Sequence, residues 1–148
     1  MKEIFGNIWE QDCDWLCITT NGVVKKDGRA VMGAGIALQA KQRYSNIDKI
    51  LAEKIRERGN VVSSLLKDGK KWIISFPTKN DWRNQSDIEL IKQSAIDIKK
   101  HFDRMKNKPK VLIPRPGCSN GGLDWKDVKV VLEKILVNDQ FVIISKGE

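Results

Sequence analysis

Val31-Met32-Gly33-Ala34-Gly35-Ile36-Ala37-Leu38-Gln39-Ala40-Lys41 opens around two glycines and closes on a run that reads as a helix. Farther along, Pro116-Gly117-Cys118-Ser119-Asn120-Gly121-Gly122-Leu123-Asp124-Trp125 repeats the arrangement, with Asp124 placed to cap a following helix. Each glycine loop comes after a β-rich run. The first is Trp15 to Thr20, ended by the turn signal Asn21-Gly22; the second is Lys110 to Ile113, ended by Pro114. In open α/β sheets, ligands bind beyond the carboxyl ends of the strands. Glycines there let main-chain N–H groups approach an anion, and a helix N-terminus adds partial positive charge. Neither loop is specific alone. Gly33-Ala34-Gly35 lacks the third glycine of the dinucleotide fingerprint, no Gly-Lys-Ser/Thr follows either loop, and tight turns needing positive φ use the same residues. Two loops in matched positions point to a site that grips a diphosphate from both sides.

The remaining chain supplies the frame. Lys2 to Phe5 reads as a first strand, and Val23 to Arg29 as a polar loop. Ile47, Ile50, Leu51 and Ile55 recur at helical spacing, with Gly59 as C-cap. Val61 to Leu66 and Trp72 to Phe76 read as strands joined at Asp68-Gly69, and Pro77 breaks the second. Ser86-x-x-Glu89 has the pattern of a capping box for a helix whose apolar face is Ile88, Ile91, Ala95, Ile98 and Phe102. Val128, Val131, Leu132 and Ile135 line a last helix, and Phe141 to Ile144 a last strand. This alternation predicts one α/β domain over residues 1–148, with a mixed, mostly parallel sheet and helices on both faces.

Composition limits the partners. Lys and Arg number 27 against 19 Asp and Glu, a net charge of +8, which suits nucleic acid, nucleotides or phosphorylated metabolites, or simply a solvated basic surface. The cysteines, Cys13, Cys17 and Cys118, are odd in number and form no Cys-x-x-Cys, which argues against a disulfide scaffold and a zinc site. Neither a metal nor a cofactor is expected. The opening Met-Lys-Glu-Ile-Phe-Gly does not read as a signal peptide, and no apolar stretch approaches membrane-spanning length. The expectation is a soluble, monomeric, cytoplasmic protein without membrane association.

With these loops in hand, the chain resembles the macro domains. Thr20-Asn21-Gly22 followed by Val31 to Ala37 is similar to their first ligand loop, and Pro116 to Trp125 to their second phosphate loop. Phe76-Pro77-Thr78-Lys79 followed by Trp82 resembles a motif of one branch. That branch contains the terminal ADP-ribose protein glycohydrolases and the antitoxin macro domains that strip ADP-ribose from DNA. The resemblance runs from about Gly6 to Ile144, with the motifs in the same order. It implies a three-layer fold that holds ADP-ribose, free or on DNA or protein. Met32, Gly33, Ala34, Gly35 and Ile36 would clasp the diphosphate and distal ribose together with Gly117, Cys118, Ser119, Asn120, Gly121, Gly122 and Leu123. Asn21 would lie near the distal ribose, and Lys79 matches the lysine that acts in the glycohydrolases.

The departures bear on chemistry. Macro domains usually carry Gly-Asp where this chain has Gly6-Asn7; Asn7 can still accept from the adenine amino group, without charge, or Asp14 could serve. Ser119 stands where glycine is common, and a positive φ would strain it. The catalytic Asp of the protein glycohydrolases falls at Gly121, so that acid is missing, as in the DNA-acting relatives. Lys79, working at C1″ of the distal ribose, must first shed its proton, which burial or a neighbouring cation promotes; the plain alternative is a solvated lysine. Trp82 and Arg83 could reach the ligand or attached nucleic acid. His101 reads as surface, Asp124 and Asp127 as helix-start carboxylates, and Cys118 as packing. The readings left open are a glycohydrolase, a phosphatase acting on ADP-ribose-1″-phosphate, a non-catalytic reader, and a plain nucleic-acid module whose binding would collapse with salt.

Overall fold

Trp15-Leu16-Cys17-Ile18-Thr19-Thr20 is apolar on both faces, as a strand must be when helices cover the sheet above and below. A computed structural model, which describes residues 1–146, places this run near the centre of a six-stranded sheet. The strands are β1 (Lys2–Phe5), β2 (Trp15–Thr20), β3 (Ser63–Asp68), β4 (Lys71–Pro77), β5 (Val111–Pro114) and β6 (Phe141–Ser145). Their order is β1-β6-β5-β2-β4-β3. Every neighbouring pair is parallel except β3 with β4, a hairpin turned at Gly69, where φ is +61°. The helices are α1 (Gly35–Arg43), α2 (Ile47–Arg58), α3 (Ile88–Arg104) and α4 (Trp125–Glu133).

The strand alternation divides the core. Leu16 and Ile18 pack with Ala37 and Ala40 of α1 and Leu51 of α2. Cys17, pointing the other way, joins Ile91 and Ile98 of α3 and Leu132 of α4. The fold is therefore the expected three-layer α/β arrangement, mixed and mostly parallel, with helices on both faces. Among the described residues, no helix is long and apolar enough to cross a membrane.

Three local expectations shift. β3 starts two residues later than its β-rich run suggested and carries an irregularity between Ser64 and Leu66. Pro77 closes β4 rather than standing outside it, and its carbonyl accepts from the buried Ser94 hydroxyl at 2.8 Å. The cap of α3 is Asp87, whose carboxylate accepts from the Glu89 amide at 2.9 Å; Ser86 lies one residue earlier and is buried.

The segment between β2 and α1 is pinned so that its glycines arrive in register. Asn21 donates to the Val31 carbonyl at 3.0 Å and accepts from the Val23 amide at 3.0 Å. Arg29 reaches the carboxylate of Asp48, 2% exposed at the start of α2, at 2.8 Å. Removing Arg29 strands that carboxylate with only the Lys49 amide as partner. Arg29→Ala is expected to lower the unfolding free energy by about 1–3 kcal/mol, since a buried charge loses its partner at a half-open site. Urea denaturation reads this, and Asp48→Asn in the same chain should recover part of the loss.

Candidate active site

Parallel strands present their carboxyl ends on one side, and sequence order decides where a crevice opens there. β2 and β5 are neighbours at the switch point of this sheet. The chain leaving β2 runs to α1 on one face, and the chain leaving β5 runs to α4 on the other. Between the two departing loops lies a cavity of about 1110 Å³. Its floor is the strand ends: Gly6 to Ile8 after β1, Thr19 to Asn21 at β2, Thr78 and Lys79 after β4, Pro114 and Arg115 at β5, Ile144 to Lys146 at β6.

The walls are main-chain donors. Ala34 precedes α1 with no side-chain cap, and the first bond of the helix is Leu38 N–H to the Ala34 carbonyl at 3.2 Å. The amides of Gly35, Ile36 and Ala37 are therefore open at the cavity edge. Opposite, Gly117 and Gly122 take φ of +78° and +76°, and Leu123 N–H closes the loop onto the Gly117 carbonyl at 2.9 Å. The amides of Ser119, Asn120 and Gly121 meet no main-chain acceptor among the described residues. The loops come close: a Cβ on Gly35, where φ is +55°, would stand 3.2 Å from Nδ2 of Asn120.

Lys79 bridges the remaining gap. Its ammonium donates to the carbonyl of Asn120 at 3.3 Å and to that of Trp82 at 3.4 Å, which ties the end of β4 to the second loop. Trp82 lines the cavity and is half exposed. Arg83 does not reach it. Its guanidinium is spent on Asp81 in a two-pronged contact at 2.9 and 2.7 Å, which holds the Asp81 carboxyl down to about 2. Asn7 borders the cavity, where its side chain caps a short 3-10 turn by accepting from the Trp9 amide at 2.9 Å. Asp14 is excluded from the site, because it precedes β2 at the opposite end of the sheet and accepts from the Lys110 amide at 2.8 Å.

Two expectations about the second loop are corrected. Gly122 does not line the cavity; its carbonyl accepts from Gln85 on the outer side at 3.1 Å, and its glycine is needed for the turn. Ser119 is not strained, since among the described residues Asn46 alone has positive φ without being glycine. Cys118, partly buried, has its thiol pushed up to about 11 by desolvation, which keeps it protonated near neutral pH. Asp124 accepts from the Lys126 amide as a helix cap, and Asp127 lies in the same first turn.

Gly121 explains the missing acid. A Cβ there would lie 2.1 Å from the Ser86 hydroxyl and 2.5 Å from the Gly117 carbonyl, so no side chain fits. Ser86 lines the cavity, as do Thr20 and Ser145, and the buried hydroxyl oxygens of all three have no hydrogen-bond partner among the described residues. Sequence reasoning missed them. Arg115 and Lys146, also missed, are the first residues beyond β5 and β6, so the rule that strand ends build the site would have found both. Arg115 lies with its guanidinium 5.1 Å from the ring centre of Trp125, whose indole N–H donates to Glu3 at 2.8 Å. Among the described residues, no cluster of His, Cys, Asp or Glu could hold a metal ion.

Gly121→Ala should cost about 1–3 kcal/mol through overpacking. Adding Ser86→Ala should leave most of that loss in place, because the Gly117 carbonyl still blocks the new methyl group. Thr20→Val removes a buried hydroxyl without a partner and keeps its shape, so thermal unfolding should show the empty protein up to about 1 kcal/mol more stable.

No protein-family model matches the chain. The chain is 39% identical over 131 residues to the DNA ADP-ribosyl glycohydrolase of Mycobacterium tuberculosis, an alignment taking in 84% of the chain and 35% of that protein. It thus spans about a third of the length of the curated relatives it matches first. DarTG of Thermosipho africanus, solved in complex with ADP-ribose, shares the fold, with a TM-score of 0.79 at 22% identity over 96% of this chain and 40% of that one. The macrodomain of Mycobacterium tuberculosis DarG superposes with a TM-score of 0.75 at 34% identity, covering 99% of this chain and 97% of that one. Agreement of that extent means that the chain belongs to the macrodomain family, with DarG macrodomains among its relatives.

Proposed function

We propose that this macrodomain holds ADP-ribose in the cavity between the two glycine loops and hydrolyses the bond joining it to DNA. The observation that carries the reading is the pair of facing rows of unpartnered amides, Gly35 to Ala37 and Ser119 to Gly121, across one cavity. A diphosphate, with acceptor oxygens on two linked phosphates, matches two such rows at once. The orphaned hydroxyls of Thr20 and Ser86 then serve as hydrogen-bond partners for the sugar at the Lys79 end. Asn7 and Ile8, at the end of β1, border the adenine end, and Asn21 acts by holding the first loop in place. The choice of DNA as the conjugate rests on the named activity of the Mycobacterium tuberculosis relative.

In the proposed reaction, the bond between C1″ and the DNA base breaks, and its electron pair leaves with the base. Lys79 first gives a proton to solvent; its free amine then takes a proton from the water that bonds to C1″, or itself bonds to C1″ in an adduct that water afterwards hydrolyses, and the departing group is protonated from solvent. Lys79 is held at the cavity by the carbonyls of Trp82 and of Asn120 in the second loop, so its contribution is position as much as basicity. No acid from the second loop assists, because Gly121 admits no side chain.

Lys79→Ala should lower single-turnover release of ADP-ribose from an ADP-ribosylated oligonucleotide by about 10²–10⁴-fold, while calorimetry with free ADP-ribose changes only a few-fold. Release that is unchanged in the variant overturns the role of Lys79. Cleavage of ADP-ribose-1″-phosphate with none of DNA conjugates would make the protein a phosphatase, and binding without turnover would make it a reader.

A further inference from the structure

Along the β3 edge of the sheet, from the starts of β2 and β4 to the start of β3, lies a second depression of about 390 Å³. Trp15 opens β2, Trp72 stands near the start of β4, and the two are direct partners in the parallel ladder. Partnered residues point to the same face of a sheet, so the indoles stand side by side, on strands about 4.8 Å apart. Trp72 is 39% exposed, and Met105 beside it 42%. Lys54 and Arg58 come to the depression from the end of α2, and His101 and Arg104 from the last turn of α3. No Asp or Glu lines it. The carboxylates of α3 face other partners: Asp97 accepts from Gln93, and Asp103 from Lys99.

Cations at helix C-termini favour the helix dipole, which accounts for Arg58, His101 and Arg104 as stabilising residues. It does not account for the exposed indole of Trp72 left among them beside the half-buried Trp15. Arg58 is also fixed rather than solvated: it donates to the Val62 carbonyl at 3.3 Å and the Ser63 hydroxyl at 2.9 Å. A further cation, Lys67, stands 5.7 Å from the centre of the Trp72 ring. Flat aromatic faces interleaved with cations, in a groove free of carboxylates, match a chain of alternating phosphates and planar bases. An acidic peptide would meet the charge but has no faces to stack on the indoles. A duplex keeps its bases stacked and out of reach of a narrow groove.

We infer that this groove binds single-stranded DNA, with bases on Trp72 and Trp15 and phosphates on Lys54, Arg58 and Arg104. The chemistry of the groove stands apart from what the cavity binds; the choice of DNA over RNA rests on the proposed function above. The groove and the cavity share no lining residue, so a strand in the groove leaves the cavity's amides open.

The test is fluorescence anisotropy with a labelled oligothymidylate that carries no ADP-ribose, at several salt concentrations. Trp72→Ala and, separately, Lys54→Glu with Arg104→Glu should each weaken binding by about tenfold or more. The charge variant should also flatten the salt dependence. Circular dichroism checks folding, and because neither Lys54 nor Arg104 makes a side-chain hydrogen bond or ion pair among the described residues, the charge variant keeps the test alive if Trp72→Ala unfolds. Calorimetry with ADP-ribose on the same variants should be unchanged, which separates failure of the groove from failure of the cavity reading. Lys79→Ala should bind the oligonucleotide like the parent. Oligonucleotide affinity that survives both groove variants, or is lost only with cavity variants, overturns the inference. Equal binding of oligoglutamate shows charge alone and overturns it too, and tighter binding of oligouridylate overturns the choice of DNA.

Discussion

Two helices leave neighbouring strands toward opposite faces of one sheet, and the chain has no means of closing the gap between their first turns. Every other property of the site depends on this. A helix start leaves unpaired amides wherever its cap is weak, and Ala34 offers α1 no cap at all. The opposing loop uses Gly117 and Gly122 to turn sharply, which spreads its intervening amides toward the same gap. Unpaired donors are costly where water is scarce and useful where an anion arrives. The strands fix how far apart the two rows can be, so the fold itself sets the span of the ligand.

The second tier of the site is also a set of unmet hydrogen bonds. Thr20, Ser86 and Ser145 have buried hydroxyl oxygens without partners, and all border the one cavity. In the empty protein these are liabilities of the kind that natural cores avoid. Their concentration here, against a well-paired remainder, marks where selectivity is stored. Gly121 completes the argument from the other side. Ser86 and the Gly117 carbonyl fill the space a side chain would need, so the backbone approaches Ser86 more closely than any other residue would allow. The same closeness that builds the cradle removes the position from which an acid could act.

Much of this was legible in the residues. The strands Lys2–Phe5 and Trp15–Thr20 and the cap at Asp124 follow from β-rich runs, turn signals and capping chemistry, which are local. The glycine loops announced the site because an anion site needs main chain rather than side chain. What was not legible depended on distance in the fold. Ser86 fits the capping pattern with Glu89, yet Asp87 is better placed and takes the cap, which frees Ser86 to sink against Gly121. Asp14 offered a carboxylate near the first motif in sequence, but one strand of extended chain carries it to the far end of the sheet. Gly122 shares its loop with true lining residues and differs only in which side the turn presents. Trp15 and Trp72 begin separate β-rich runs, and only the register of β2 on β4 makes them partners.

The placement of charge separates two ways of holding an anion. The chain carries a net charge of +8, yet the cavity is walled by amides, with Lys79, Arg115 and Lys146 as its cations. Of these, Lys79 is occupied by two carbonyls, and Arg115 lies flat near Trp125 beside Glu3. Binding by fixed dipoles inside a crevice is only weakly screened by salt, whereas binding by surface cations releases counterions and weakens steeply. The excess positive charge is therefore not what holds a nucleotide sugar in the crevice. Such charge acts at longer range, on a polyanion rather than on a single crevice ligand. Under the proposed function, ADP-ribose and the DNA that carries it would meet two surfaces with no lining residue in common, one built of amides and one of cations.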